Sequence, residues 1–201
     1  MKIENAVKFA VAGVAVMGIV CNTFSNTHTY TKNNVIIDGE PIVVQRVTAP
    51  AEPAPEYTIP DGDTSFKSYM DFRCITNTRS PQYRLQSDCW TDDEGLRRCG
   101  DDFVIAVGSY YADCIGERFE ITLDTGEKFT AVVGDFKADA HTDETNRYTL
   151  AGNNSKNVIE FVVDCKVLNK TAKRMGDISY IDGFDGNIEK IESCEKTSEA
   201  I

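Results

Sequence analysis

The chain is poor in the side chains that enzymes most often use. It has two histidines in 201 residues, His28 and His141, and an imidazole is what commonly activates a nucleophile or helps to hold a metal. The GxSxG elbow, the GxxxxGK(S/T) phosphate loop, the HExxH helix and the CxxC pair are all absent. Catalysis, where it occurs, therefore rests on carboxylates, and the sequence asks for no cofactor and no metal. Positive charge is scarce as well, with 21 Lys and Arg against 32 Asp and Glu and a net charge of −11. The basic residues are scattered rather than gathered on one stretch, so nucleic acid is not an expected partner. What remains, 41% apolar and 26% charged residues, is the composition and length of one globular domain with a tail.

The one long apolar run lies at the start. Phe9 to Cys21 carries no charge, follows Lys2 and Lys8, and ends abruptly at a polar stretch, which is the pattern of an export signal. As a helix it is roughly 20 Å long at about 1.5 Å per residue, short of the roughly 30 Å hydrocarbon core. Val20 precedes Cys21 where a lipoprotein signal has a small residue, and no A-x-A site follows. Residues 1–21 thus read either as a cleaved signal peptide or as an uncleaved membrane anchor. Residues 22–63 are polar and contain Pro50, Pro53, Pro55 and Pro60, so they read as an extended linker. Within them NVIIDGEPIVVQRV sets β-branched residues around an Asp-Gly turn and predicts a small hairpin.

Residues 64–195 read as a mainly β domain, with 196–201 as a short tail. FVIAVGSYY from Phe103 is a continuous apolar run of the kind that forms a buried strand. RFEITLDTGEKFTAVVGD alternates, with Phe119, Ile121 and Leu123 on one face and Phe129, Ala131 and Val133 on the returning one, which is the strongest hairpin signal in the chain. NVIEFVVD predicts another strand, and DISYIDGFDGNIEKI two more around an Asp-Gly turn. Ser80-Pro81 predicts a turn after the edge-strand pattern of MDFRCIT.

Six cysteines follow the apolar run, Cys74, Cys89, Cys99, Cys114, Cys165 and Cys194. An even number in an exported chain favours disulfides. Cys89 and Cys99 flank a segment with an Asp-Glu-Gly centre and are the best candidate pair, with Cys165 and Cys194 a weaker one. The alternative is that all six remain thiols. Their wide spacing does not suit zinc.

From Val104 to Leu168 the chain resembles the double-psi β-barrel family, which includes rare lipoprotein A-like proteins, expansins and the 3D domain of lytic transglycosylases. The resemblance rests on Ile115-Gly116, the DTG turn, Val132-Val133-Gly134-Asp135 and Ile159-Glu160-Phe161, and implies a six-stranded double-psi β-barrel. It places Asp135 at the family's first acid and Glu160 at its later one, the general acid/base of the lytic transglycosylases. The chain departs from the pattern after the first acid, where it has DFKAD, and in having Glu in place of Asp at the second.

The same residues carry a physical reading. Cleavage of a glycosidic bond needs a carboxylic acid to protonate the leaving oxygen, and two acids on adjoining strand ends supply it without histidine, serine or metal. The loop between them offers Lys137, Asp139, His141 and Asp143, and the strand end before it Tyr110 and Tyr111, as candidate sugar-binding side chains. The bland alternative makes Asp135 a turn cap, Glu160 a solvated residue, the loop a polar connector and the tyrosines a barrel rim. The expected partners are peptidoglycan and, through the N-terminal segment, the membrane. The expected activity is lytic transglycosylase-like remodelling of glycan strands by an exported, membrane-tethered or secreted protein, or else non-catalytic glycan or protein binding.

Overall fold

The computed structural model describes residues 56–194, together with the backbone of two short strands at 35–37 and 40–42. The expected signal or anchor at 1–21, most of the linker and the tail lie outside the described residues. The chain divides into two compact units, residues 1–53 and 54–201. In the first, β1 (Val35–Ile37) and β2 (Glu40–Ile42) pair antiparallel, the hairpin that the Asp-Gly signal predicts.

The second unit is mainly β and is built on a large mixed sheet. Its elements are β3 (Glu56–Tyr57), β4 (Ser68–Asp71), α1 (Pro81–Asp88), β5 (Trp90–Thr91), β6 (Arg97–Cys99), β7 (Asp102–Val107), β8 (Arg118–Leu123) and β9 (Lys128–Phe136). After them come β10 (Thr149–Leu150), β11 (Lys156–Asn157), β12 (Glu160–Val163), α2 (Lys170–Met175) and β13 (Ile188–Ser193). The sheet runs β3-β13-β8-β9-β7-β12-β4, with the β5–β6 hairpin attached to the start of β7. Two pairs are parallel, β4 with β12 and β7 with β9. The remaining pairs are antiparallel.

The hairpin that alternation predicts is β8–β9, and its apolar residues face one core. Phe119, Ile121, Leu123, Ala131 and Val133 pack there with Ile105, Phe161, Val163 and Ile191. Phe184 stands within 5.0 to 5.2 Å, centroid to centroid, of Phe103, Phe129 and Phe161. The opposite face of the sheet carries a smaller cluster of Val104, Val132 and Val162, covered by Met70, Phe72, Leu85, Cys89 and Cys99. Burying both faces explains why FVIAV has no polar alternation.

The sheet begins earlier than composition suggests. Glu56–Tyr57, inside the proline-bearing stretch read as linker, pairs with β13. Tyr57 packs edge-on against Tyr110, Tyr111 and Phe119, with centroids 5.6 to 6.1 Å apart. One aromatic side chain docks this segment where its prolines alone predict an extended tether. Ser80-Pro81 opens a helix rather than a simple turn. Ser80 accepts the N–H of Tyr83 as N-cap and Pro81 occupies the first turn, where its missing N–H costs nothing. Likewise the first of the two runs in DISYIDGFDGNIEKI is a 3-10 turn, Ile178–Tyr180, because Asp177 caps it through Ser179. Among the described residues no helix is long and apolar enough to cross a membrane.

Candidate functional site

The two candidate acids share a neighbour. Ala106 of β7 is in register with Asp135 of β9 on one side and with Glu160 of β12 on the other. Glu160 is in turn in register with Ser68 of β4. Residues directly opposite on adjacent strands point to the same face, so Ser68, Glu160, Ala106 and Asp135 form one row across four strands. At about 4.8 Å per strand step the backbones of the two acids stand roughly 10 Å apart.

A bulge decides which face Asp135 takes. Strict alternation from Phe129, Ala131 and Val133 places Asp135 towards the main core. The register shifts between Ile105 and Ala106, so that Val133 faces Ile105 and Asp135 faces Ala106, leaving Gly134 as the extra residue. The shift reverses the parity, turning Asp135 to the outer face and Phe136 into the core. Glycine is required there for space, since a Cβ on Gly134 would lie 2.2 Å from Val104 Cγ1. The bare backbone also lets α1 lie across the outer face. From its first turn Gln82 Nε2 donates to Asp135 Oδ1 at 3.4 Å. At its last turn Arg97 donates to the carbonyls of Gln86 and Cys89, both at 2.8 Å, and to Gln86 Oε1 at 3.1 Å.

Lys137 is the residue after β9. Its side chain is 7% exposed, so it is not available to a sugar in the way its place in a polar loop suggests. Lys137 Nζ donates to the carbonyl of Asn157 at 2.8 Å. Burial pushes its ammonium down to about 8, against the pull of the Glu160 carboxylate. Asn157 is a hub for the same region. Its Nδ2 donates to Ser68 Oγ at 2.6 Å and to Thr149 Oγ1 at 3.2 Å, and its Oδ1 accepts the N–H of Ser68 at 3.2 Å.

The loop residues separate. Asp139 accepts from Ser109 Oγ at 2.8 Å, which ties the loop to the turn after β7. Asp143 orders the loop from within, accepting the N–H groups of Thr145, Arg147 and Tyr148. Although burial raises its carboxyl, these bonds and the Thr145 hydroxyl bring it down to about 2. His141 is exposed. The loop approaches β7 so closely that a Cβ on Gly108 would lie 1.9 Å from the carbonyl oxygen of Asn146. Tyr110 and Tyr111 divide as adjacent residues do, the first 40% exposed and the second buried.

The hairpin β5–β6 carries the expected disulfide between Cys89 and Cys99 at its open end, with Cα atoms 4.4 Å apart. Cys165 and Cys194 are thiols in the structure, as is Cys74. Trp90, beside the disulfide, is half exposed and donates its indole N–H to Gly100. Arg73 is engaged by Asp71 and Asp164 within the domain.

No family model matches this chain, and no curated protein or solved structure does. The site is therefore read from its own geometry. The sequence singled out Asp135 and Glu160 as candidates; Ser68, Gln82 and Asn157, which the structure places beside them, were not among its candidates. The Ser-Pro start signal at residues 80–81 is enough to find α1 and with it Gln82. Asn157 and Ser68 carry no local signal, because their roles depend on which strands meet. Among the described residues, one further group gathers ligand-type atoms within 4.8 Å, Asp113, Cys114 and Glu117. Glu117 there accepts the N–H groups of Asp113 and Cys114 and so closes the turn.

Proposed function

We propose that the outer-face row of Asp135 and Glu160 binds and cleaves glycan strands of the cell envelope, in the manner of a lytic transglycosylase. The observation that carries this reading is the common register of both acids with Ala106. In the reaction Glu160 gives its proton to the glycosidic oxygen as the bond to the anomeric carbon breaks. The carboxylate then takes the proton of the sugar's 6-hydroxyl, whose oxygen bonds to the anomeric carbon. Proton count is conserved, water is not consumed, and the product is a 1,6-anhydro sugar. Asp135, held by Gln82, supplies negative charge near the developing oxocarbenium.

A six-stranded double-psi β-barrel would be formed by β4, β7, β8, β9, β12 and β13, and the two parallel pairs in a largely antiparallel sheet support it. So do the side-chain bonds between the two ends of the strand order, where Ile188 N–H donates to Thr64 Oγ1 at 2.9 Å. Export of the chain, with the N-terminal apolar run as signal or anchor, is supported by the Cys89–Cys99 disulfide, a bond that persists in oxidising compartments.

Binding without cleavage is the second reading. Tyr110 favours it, since its exposed ring has the Arg147 guanidinium 5.7 Å from its centroid and offers a sugar-stacking surface. The deciding experiment incubates the oxidised full chain with purified peptidoglycan and analyses products by mass spectrometry, beside Glu160→Gln and Asp135→Asn. Anhydromuropeptides from the wild type and none from Glu160→Gln establish the cleavage reading. Retention of the folded protein on peptidoglycan with no soluble product replaces it with the binding one.

A further inference from the structure

We propose that the Cys89–Cys99 disulfide sets the outer-face row: it fastens α1 to the sheet with Gln82 on Asp135, and its reduction by a dithiol lets the helix go, so that the row is assembled in the oxidised chain and undone in the reduced one. The inference rests on the reading of Asp135 as a site residue and goes on to how that site is controlled. Helix α1 has eight residues, fewer than the roughly 12 to 15 that an isolated helix needs, so it persists through what it is fastened to. Of its residues only Gln86 is buried. Its apolar contact with the outer face is Leu85, which joins the two cysteines over Val104, Val132 and Val162.

The strongest fastenings lie at its C-terminal end. Cys89 follows the last residue of α1 directly, and Cys99, its disulfide partner, ends β6 opposite Asp102 of β7. Arg97, which donates to the carbonyls of Gln86 and Cys89, stands on the same strand. That strand pairs with β5 through two residue pairs, Trp90 with Arg98 and Thr91 with Arg97. So short a hairpin is marginal alone, and the hold of the arginine therefore depends on the cross-link as well. At the first turn the bond from Gln82 to Asp135 is long, at 3.4 Å. Between the two ends Gln86 Nε2 is buried with no hydrogen-bond partner among the described residues. It faces the bare Gly134, where a Cβ would lie 3.3 Å from it. A buried donor without an acceptor favours any state in which water reaches it. The docked helix is thus biased to leave, and the covalent bond opposes that bias.

The chemical step is thiol–disulfide exchange. Cys89 and Cys99 are both partly exposed and are followed by the exposed residues Trp90 and Gly100, within reach of a dithiol protein or a small dithiol. One thiolate of the reductant attacks the disulfide and forms a mixed disulfide, which its second thiolate displaces. The reductant leaves as its own disulfide, and Cys89 and Cys99 leave as thiols, having taken up two electrons and two protons. Gln82 is a positioning residue in this scheme and not a catalytic one.

The test compares the full chain oxidised, reduced with dithiothreitol, and as Cys89→Ser with Cys99→Ser, with folding followed by circular dichroism. Trypsin is expected to cut after Arg84, in the middle of α1, on the order of tenfold or more faster in the two forms without the cross-link. The cut after Arg147, in the loop after β9, is expected to change by less than about twofold, because the opening is local. With carboxyl-labelled aspartate, NMR follows the Asp135 signal, identified by its loss in Asp135→Asn. It is expected to move on reduction to where it stands in oxidised Gln82→Ala, and to return on reoxidation. Unchanged cleavage after Arg84, equal acceleration at both arginines, or an Asp135 signal that does not respond to reduction each overturns the proposal. So does complete unfolding of both forms without the cross-link, since the disulfide then holds the domain and not the helix. These measurements need no glycan, so they stand apart from a failure of the cleavage reading. Where anhydromuropeptides are released, reduction lowers their rate to that of Gln82→Ala, and an undiminished rate in the reduced protein also overturns the proposal.

Discussion

The ammonium of Lys67 donates to the carbonyl of Gly186 at 2.8 Å, joining the approach to β4 to the approach to β13. The two strands stand far apart in the strand order, and among the described residues no ladder pairs them. Lys67 also donates to Ser65 at 2.9 Å, and Thr64 bonds Asn187 and Ile188 beside it. A fully buried lysine thus does with its side chain what backbone pairing does elsewhere in the sheet.

That role makes stability depend on pH in a particular direction. Burial lowers the Lys67 ammonium from 10.5 to about 8, although Asp177 and its acidic neighbours oppose this. Below about pH 8 the folded and unfolded chains both carry the proton, and the burial penalty is constant. Between about 8 and 10.5 the unfolded chain holds more protons, so stability rises with pH. Urea unfolding at pH 7.5 and 10 is expected to show the wild type gaining on the order of 1 to 3 kcal/mol relative to Lys67→Met. An equal pH response in the two proteins removes Lys67 as the source.

Gly134 is expected to tolerate no side chain. Gly134→Ala forces its Cβ against Val104 Cγ1, and such overpacking costs about 1 to 3 kcal/mol. Pairing it with Val104→Ala relieves the clash, so a double-mutant cycle in urea is expected to show less loss than the sum of the single changes. Strict additivity excludes this contact as the cause.

The disulfide of β5–β6 closes a short loop, with a sequence separation of 10. Chain-entropy arguments give such a cross-link roughly 2 to 3 kcal/mol. Cys89→Ser with Cys99→Ser is therefore expected to lower the free energy of unfolding by that amount without changing the strand signal in circular dichroism. Peptide mapping without reduction is expected to find Cys89 linked to Cys99 and Cys165 unlinked to Cys194.

Asp143 is expected to control the loop after β9. Its carboxyl is lowered from 3.8 to about 2, so its contribution is complete above about pH 4 and is lost as pH falls through 2. Asp143→Ala leaves the N–H groups of Arg147 and Tyr148 without that acceptor. Trypsin is then expected to cut after Arg147 several-fold faster than in the wild type, while unfolding in urea shifts by only about 1 kcal/mol. An unchanged cleavage rate shows that the loop is held elsewhere, at Gly108 or Ser109.

The sequence by itself determined the features that repeat over a few residues. The mainly β class, the β8–β9 hairpin, the buried run of β7, the β1–β2 hairpin and the Cys89–Cys99 pair follow from alternation, turn chemistry and short spacing, which act locally. Only the tertiary structure decided the rest. Asp135 faces outward because one extra glycine reverses the parity of β9, and alternation alone points it inward. Lys137 lies buried although its surroundings in sequence are polar. Asn157 and Ser68 meet because β12 and β4, about 90 residues apart in the chain, pair in parallel. Burial and side-chain partners are properties of which strands come together, and that choice is made by non-local packing rather than by any segment's own pattern.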